Sequence, residues 1–445
     1  MRVVFAGLGV VLAFGFVSGC VSLTHGSVVE RSPRLLRIQK SSRPLPESKF
    51  IHASGAKIVD GTGHAIQLTG VNLGSWLVME PWMCPFDSSG TVPDESTAIT
   101  LLDKRFGVPT EQSLVSKFQN AWITDSDFNN VAAARLNCVR IPIWWGDFYT
   151  VDGKLRKDGF DQLDWAVAMA QLRHLYVIVD MHGVFGGQSN DFVTGMQNSN
   201  QYWKSSEDQL KTNLLWSMIA KHYYNNPVVA AYDLMNEPQG APDQISVWEA
   251  YDRLYKAVRS VDHNHLIMME PNWRGIGTDG KWLNWDWNVL PAPSEYHWTN
   301  VAYSPHSYPG SSQGVASETA KQIDQFNKYS IASGWNVPVI IGEFNEGSSS
   351  SDWSSTIAAW NRAGISWIFW TYKTTTGTGA SHWGLYTANG TDGPPGYGGS
   401  PDLGKPNLES DSANQIAQNW ESWTTNREFH KNSLVSDPID AADHQ

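Results

Sequence analysis

Short apolar runs alternate with longer amphipathic segments over most of this chain, and this alternation constrains the fold more than any other feature. Each run has the length of a buried strand, and the segments between them, such as 160–173, repeat apolar residues at three and four positions, as helices do. Eight runs can be counted. They are 66–73, 137–143, 176–182, 229–236, 266–270, 301–306, 339–343 and 366–372.

Strands that alternate with helices form a parallel sheet, and eight of them can close into a barrel. The sequence therefore predicts an α/β fold, a (β/α)₈ TIM barrel, over residues 50–430, followed by a loose tail at 431–445. An open doubly wound sheet is the alternative. It usually begins with a Gly-rich turn, whereas the first turn here reads Gly-Val-Asn-Leu-Gly-Ser-Trp at 70–76.

The N-terminus has the pattern of an export signal. Arg2 precedes an apolar stretch at 3–16, and Val-Ser-Gly-Cys at 17–20 looks like the lipobox of a bacterial lipoprotein. We therefore expect a signal peptide at 1–20, lipidation of Cys20, and a tether at 21–49 that holds the protein at the cell envelope, with no other membrane contact. The alternatives are a plain signal peptide and a membrane-spanning helix, but the stretch is short for a span.

The composition indicates which classes of ligand the protein can bind. The net charge is −12 and no long basic stretch occurs, which argues against a nucleic-acid partner. The chain has 22 Trp and 15 Tyr, and about half of such residues would suit a carbohydrate cleft, because sugar rings stack on flat aromatic faces. No zinc-type Cys/His spacing or Gly-rich phosphate loop is found, so no cofactor or metal is expected. Cys84 and Cys138 either form a disulfide or are buried separately.

Unusual polar and aromatic side chains end six of the eight predicted strands. In a barrel of this type the carboxyl ends of the strands meet at one face, which carries reactive groups. Any single member could be structural, but six strand ends at one rim indicate a site. The residues are Arg140, His182, Asn236, Glu237, His306, Tyr308, Glu343 and Trp370.

Within this group, Glu237 and Glu343 indicate a specific chemistry most clearly. Each directly follows an apolar strand, in Leu-Met-Asn-Glu-Pro at 234–238 and Ile-Ile-Gly-Glu-Phe at 340–344, where a charge is costly unless it faces a polar cavity. The two lie on the fourth and seventh strands and would face each other across the barrel mouth. Carboxyl groups about 5–5.5 Å apart suit glycoside hydrolysis with retention of anomeric configuration.

These motifs resemble glycoside hydrolase family 5, over about residues 69–373. The resemblance implies that Glu237 is the acid/base and Glu343 the nucleophile. It also implies that Arg140, His306 and Tyr308 orient or hydrogen-bond the nucleophile. Asn236 would hold the sugar 2-hydroxyl, His182 would contact the sugar, and Trp370 would form the aromatic floor of the cleavage subsite.

Within the family, the segments at 70–82 and 180–190 resemble the exo-β-1,3-glucanase-like branch. We therefore expect a monomeric, secreted retaining β-glucanase acting on β-1,3- or β-1,4-glucan, with Trp145 and Trp273 as stacking platforms beyond the cleavage point. The alternatives are a β-mannanase or other β-hexosidase, an inert surface glycan-binding lipoprotein, and an enzyme that passes the glycosyl group to a second sugar.

Overall fold

The computed structural model describes residues 50–86, 91–272, 275–276, 282–283, 290–309, 312–347, 349–375, 383–388 and 405–442. The expected signal peptide and tether, Cys20 and Trp273 therefore lie outside the described residues. Within the described part of the chain, none of the helices combines the length and the apolarity needed to cross a membrane.

Eight parallel strands form the central sheet, and they follow the predicted apolar runs. Neighbours along the chain are neighbours in the sheet, and a parallel bridge between Tyr303 and Val339 joins the sixth strand to the seventh, so the sheet closes. The predicted (β/α)₈ barrel is confirmed. The strands are β1 (Thr69–Asn72), β2 (Cys138–Trp144), β3 (Tyr176–Gly183), β4 (Val229–Asp233), β5 (Leu266–Met269), β6 (Val301–Tyr303), β7 (Ile340–Ile341) and β8 (Ser366–Phe369).

The sixth and seventh runs are each interrupted before their predicted ends. Pro305 has no N–H to donate, which interrupts the ladder of β6. Gly342 donates its N–H to the Pro305 carbonyl at 3.2 Å, and pairing then resumes between His306–Ser307 and Glu343–Phe344. The second pairing places His306 directly opposite Glu343, at the carboxyl end of the barrel.

Helices on the outside cover the barrel with their apolar faces. The helices that follow β2 to β4 all present buried residues at helical spacing, for example Val247, Tyr251, Leu254 and Val258. The helices are α1 (Glu95–Phe106), α2 (Val108–Trp122), α3 (Asp125–Ala133), α4 (Trp145–Phe148), α5 (Asp161–Leu172), α6 (Ser206–Tyr223), α7 (Gln244–Arg259), α8 (Ser312–Gln325), α9 (Ser350–Ala363), α10 (Ala413–Ser422), α11 (Thr425–Glu428) and α12 (Ser433–Asp440).

Shorter elements extend the barrel at both ends of the described chain. Antiparallel strands His52–Ser54, Lys57–Val59 and Ala65–Ile66 precede β1. After β8, strands Lys373–Thr374, Tyr386–Ala388 and Phe429–Lys431 form a second small sheet. A two-stranded pair joins Gly275–Ile276 to Trp282–Leu283, 3₁₀ turns occur at Phe192–Thr194 and Pro293–Glu295, and a π-helix covers Phe326–Ala332.

The prediction of a loose tail at 431–445 is wrong for its described part. Phe429–Lys431 pairs with Tyr386–Ala388, and α12 packs on α9 with Val435 and Ile439 fully buried. The catalytic-domain boundary expected at residue 430 therefore lies no earlier than Asp440. Cys84 and Cys138 are both buried with free thiols, so the described structure contains no disulfide between them.

Candidate active site

The two glutamates singled out by the sequence lie next to each other at the carboxyl end of the barrel. One oxygen of Glu237, one oxygen of Glu343 and a ring nitrogen of His306 all lie within 4.8 Å of one another. Only 14% of the Glu237 side chain and 5% of the Glu343 side chain are exposed. The structure therefore brings together two carboxylates that are more than 100 residues apart in the chain, within reach of a single sugar ring.

Glu343 is held as a carboxylate by positive and hydrogen-bonding neighbours. Nη1 of Arg140 donates to its Oε1 at 2.8 Å, and the hydroxyl of Tyr308 donates to its Oε2 at 2.7 Å. Burial acts to raise the pKa of Glu343, but the charges of His306 and Arg140 outweigh it and hold the pKa below 4.5. An ionised carboxylate at low pKa suits a nucleophile.

The surroundings of Glu237 shift its pKa in the opposite direction. Burial raises its pKa above 4.5, although its hydrogen bond with His306 and the charge of that residue oppose the shift. Nδ1 of His306 lies 2.8 Å from Glu237 Oε1 and 3.6 Å from Glu343 Oε2, so the imidazole is placed between the two carboxylates. A carboxyl group with a raised pKa can retain a proton and act as an acid.

A glycine lets His306 occupy this place. A Cβ on Gly342 would lie 3.2 Å from His306 Nε2 and 2.3 Å from the Ser304 hydroxyl oxygen. Any larger residue would therefore push the imidazole or the strand away. The Gly-Glu-Phe motif thus combines a reactive group with the space that its neighbour needs.

Arg140 is fully buried at the centre of the site. Its Nε donates to Asp233 Oδ2 at 3.0 Å, and Nη2 contacts Glu270 Oε1 at 2.9 Å and Asp180 Oδ1 at 3.0 Å. Burial acts against the charged guanidinium, but these carboxylates and Glu343 raise the pKa of Arg140 well above its usual range. The guanidinium is therefore permanently charged and fixed in orientation.

His182 and Trp370 form one wall of the site. Their rings are stacked, with centroids 5.4 Å apart and planes 10° apart, and His182 Nδ1 lies 2.6 Å from Asp180 Oδ2. Burial acts to lower the pKa of His182, yet Asp180 raises it to about 9. Asn236 accepts from Arg140 Nη2 at 3.0 Å and lies 3.3 Å from His182 Nε2, so its amide is fixed between them.

Trp145 does not fit its predicted role. Its ring stacks on Phe185 at 4.9 Å, packs edge-on against Trp144, and donates its N–H to the sulfur of Met196 at 3.3 Å. The indole is only 8% exposed. The prediction of a sugar-stacking platform at Trp145 does not fit the structure, because Phe185 stacks on one face of the indole and little of the ring is exposed. Trp273 lies outside the described residues.

Four buried acids at the site were not predicted as site residues. Three of them, Asp180, Asp233 and Glu270, surround the Arg140 guanidinium. The fourth is Glu80, which lies near His182 and Glu343, and burial raises its pKa to about 8. Glu270 ends an apolar run just as Glu237 and Glu343 do. This shared position could have identified Glu270 from the sequence, whereas Asp180 and Asp233 lie within predicted apolar runs and could be placed at the site only once the register of the barrel strands was known.

Among the residues that the structure describes, two groups of acidic and histidine side chains are close enough to hold a metal ion: Glu237, His306 and Glu343, and the trio Asp180, Asp233 and Glu270. The second trio has the Arg140 guanidinium at its centre, 2.9–3.0 Å from each member. A protein cation thus stands where a metal would bind there. The first group is joined by the hydrogen bonds of His306 and Tyr308. The expectation of no cofactor stays a prediction.

Known proteins share the fold. The catalytic domain of an endoglucanase from Thermobifida fusca superposes with a TM-score of 0.52 at 15% sequence identity, covering 88% of this chain and 98% of that chain. At this identity the similarity concerns the barrel alone.

Some curated proteins have higher sequence identity to this chain than that endoglucanase does. A probable glucan 1,3-beta-glucosidase A from Emericella nidulans is 31% identical over 63% of this chain and 67% of its own length. A beta-xylosidase from Phanerodontia chrysosporium is 28% identical over 58% of this chain and 52% of its own length. In most of the curated relatives that match, the matched segment spans about half of the relative's own length.

The family model described as Cellulase (glycosyl hydrolase family 5) matches residues 101–376, more than half of the chain. This segment contains Arg140, Glu237, His306 and Glu343. The chain therefore belongs to glycosyl hydrolase family 5.

Proposed function

We propose that this protein is an exported, retaining β-glucanase with Glu343 as nucleophile and Glu237 as acid/base. The observation that carries the proposal is the separation of at most 4.8 Å between oxygens of the two carboxylates. Retaining enzymes hold their carboxyl groups about 5–5.5 Å apart, whereas inverting enzymes need about 6.5–9.5 Å to admit a water molecule. The short gap favours direct attack by a carboxylate.

In the first step, Glu343 attacks the anomeric carbon. A bond forms between its carboxylate oxygen and that carbon while the bond to the glycosidic oxygen breaks, and Glu237 gives its proton to the departing oxygen. Before the step, the hydrogen bond from Tyr308 and the charge of Arg140 keep Glu343 ionised. The product of this step is a glycosyl ester of Glu343.

In the second step, Glu237 acts as a base. The ester has removed the negative charge of Glu343, which is one cause of the raised pKa of Glu237, so that pKa falls. Glu237 then takes a proton from water, whose oxygen attacks the anomeric carbon and releases Glu343. Two inversions give net retention.

A polysaccharide panel with product sizing tests the substrate. We expect reducing sugar from laminarin or carboxymethylcellulose, and activity on only one of them would assign the linkage. Xylan and mannan belong in the same panel, because one relative is named a beta-xylosidase and β-mannanase activity is an alternative. Products longer than the substrate would indicate transfer to sugar. Binding without turnover on every member would instead support an inert glycan-binding protein.

The nucleophile assignment has its own test. Glu343→Ala should lower kcat by more than about 10⁴-fold, as other nucleophile deletions do, while the protein stays folded. Azide should restore turnover of an activated aryl β-glycoside and give an α-glycosyl azide, since azide attacks from the vacated side. Glu111→Gln, a change to a buried glutamate on α2, is the control and should keep wild-type activity. Restored turnover with a β-product would contradict the assignment.

We further infer that the protein is exported and held by a lipid on Cys20. The support is the Val-Ser-Gly-Cys motif at 17–20 after an apolar stretch. Expression of the full chain in a bacterium should give a protein that partitions with membranes and whose Cys20→Ala variant does not. A wild-type protein found in the soluble fraction with an unmodified N-terminus would contradict the anchor.

A further inference from the structure

Glu270 uses both oxygens of its carboxylate at the centre of the site. Its Oε2 accepts the backbone N–H of Glu237 at 2.7 Å, and its Oε1 accepts from Arg140 Nη2 at 2.9 Å and lies 3.4 Å from His306 Nε2. The side chain is fully buried. One carboxylate therefore contacts the backbone of the acid/base, the cation beside the nucleophile and the imidazole between the two glutamates.

The backbone at Glu237 needs such a contact. Its φ of 41° lies in the left-handed region, which is unfavourable for a residue with a side chain. The N–H groups of Leu234 and Asn236 donate to backbone carbonyls of neighbouring strands, whereas the N–H of Glu237 donates to a carboxylate. The conformation that turns the Glu237 side chain toward the barrel mouth is thus supported by Glu270.

The imidazole of His306 is held on its other side by the same group. With Nε2 facing Glu270, Nδ1 faces Glu237 Oε1 at 2.8 Å. The negative charge of Glu270 also favours the protonated ring, which can then donate from both nitrogens. Glu270 thus controls both the backbone and the hydrogen-bond partner of the acid/base.

We propose that Glu270 is a positioning residue that aims the acid/base Glu237 at the glycosidic oxygen. The proposal rests on the function proposed above, because it assigns Glu270 to the proton transfer of that reaction. Glu270 does not itself touch the reacting atoms. Its effect should therefore be largest where the leaving group needs a proton.

Tyr251 fixes Glu270 from behind. Its hydroxyl accepts the N–H of Glu270 at 3.0 Å and donates to the Met235 carbonyl at 3.1 Å. This hydroxyl joins the end of β5 to the segment that carries Glu237. Tyr251→Phe is therefore a milder perturbation of the same arrangement.

The test compares two leaving groups. Glu270→Gln keeps the size of the side chain but removes its charge and places an N–H₂ group where an acceptor is needed. We expect kcat/KM to fall about 100-fold on an oligoglucan, since misplacement of a catalytic group by about 1 Å costs that much. The fall on a 2,4-dinitrophenyl β-glycoside, whose leaving group needs no proton, should be at least tenfold smaller.

The controls separate positioning from loss of structure. Glu111→Gln should leave both substrates unaffected, and the melting temperature of each variant reports its folding. Tyr251→Phe should show the same preference with a smaller loss, and it decides the question if Glu270→Gln does not fold. Equal losses on both substrates in the folded variants, or no loss on either, would overturn the proposal.

The same measurements distinguish an error in the proposed function from an error in the role of Glu270. If the wild type cleaves neither glucans nor aryl β-glucosides, the proposed function is wrong. If it cleaves another β-glycoside, the leaving-group comparison is made on that sugar. A fully active wild type with an unaffected Glu270→Gln variant contradicts only the role of Glu270.

Discussion

Glu237 and Glu343 share one pocket but differ in the charges that face them. Arg140 and Tyr308 donate hydrogen bonds to the carboxylate of Glu343, whereas the Glu237 carboxylate pairs with His306 and the Glu237 backbone N–H donates to Glu270. In the proposed mechanism, the two carboxyl groups therefore take different roles because their neighbours differ. The resemblance to glycoside hydrolase family 5 implied this division, but the position of His306 between the two carboxylates is a tertiary feature that the sequence did not indicate.

The pH dependence of activity follows from this difference. The proposed mechanism needs Glu343 ionised and Glu237 protonated, and burial and neighbouring charges place the pKa of Glu343 below 4.5 and that of Glu237 above 4.5. We expect kcat/KM against pH to be bell-shaped, with a loss on the acid side as the pair gains a second proton and a loss on the alkaline side as Glu237 ionises. The profile is measured on an oligoglucan. A value of kcat/KM that rises continuously to alkaline pH would contradict the assignment.

The acid role of Glu237 can be separated from general damage to the site. Glu237→Ala should slow an oligoglucan by about 10²–10⁴-fold, the range that general acid catalysis supplies. An aryl glycoside with a good leaving group should lose far less in its first step. Steady-state and burst kinetics on both substrates measure this. Losses of the same size on both would mean that Glu237 does not protonate the leaving group.

At the scale of elements, the regular part of the fold was predictable and the additions were not. All eight strands were expected at their places, because buried parallel strands leave continuous apolar runs. The ends of β6 and β7 were not expected, since the interruption depends on how Pro305 and Gly342 meet across the sheet. Trp145 was misassigned for a similar reason: its contact with Phe185 is a tertiary one.

Helix α12 illustrates the same limit. Its apolar pattern has little more than one turn, and Pro438 inside it would predict a break rather than a helix. Packing on α9 buries Val435 and Ile439 completely and outweighs the local preference. Sequence periodicity cannot reveal a contact with a helix far away in the chain, such as the hydrogen bond from Ser350 to the Leu434 carbonyl 84 residues later.

The contribution of α12 to stability can be measured. Ile439→Ala should lower the free energy of unfolding by about 2–5 kcal/mol, the cost of removing a large side chain from a core. Ile245→Ala is the matched control, because Ile245 on α7 is 56% exposed, and it should change stability by less than about 0.5 kcal/mol. Urea denaturation of both variants gives the comparison. Equal values would mean that the C-terminal helix is not docked.

At the scale of the whole molecule, several buried acids other than Glu237 and Glu343 have raised pKa values. Burial raises the pKa of Glu80, Asp147 and Glu346 to about 8 and that of Glu111 to about 7. In the unfolded chain these groups ionise near pH 4. The folded state therefore binds more protons between pH 4 and 8, so its stability falls as pH rises through that interval.

We accordingly expect the melting temperature to be higher at pH 5–6 than at pH 9. Lys373 opposes this trend, because burial lowers its pKa to about 7, but it is one group against four. Calorimetry across this range measures the slope. Glu346→Gln should flatten it, since neither oxygen of that buried carboxylate has a hydrogen-bond partner within the described structure. A melting temperature that climbs toward pH 9 would contradict the expectation.

The contacts of Arg140 have a consequence for anyone who recombines barrels. The guanidinium belongs to the first half of the barrel, yet two of its carboxylate partners come from the second. A chimera could join β1–β4 of this chain to the last four strands of a foreign barrel. The buried Arg140 guanidinium would then lack its carboxylate partners, unless the foreign half places acidic residues at the same positions along its strands. The halves are therefore not interchangeable parts. The partners in question are Asn72, Asp180, Asp233 and Asn236 from the first half, and Glu270 and Glu343 from the second.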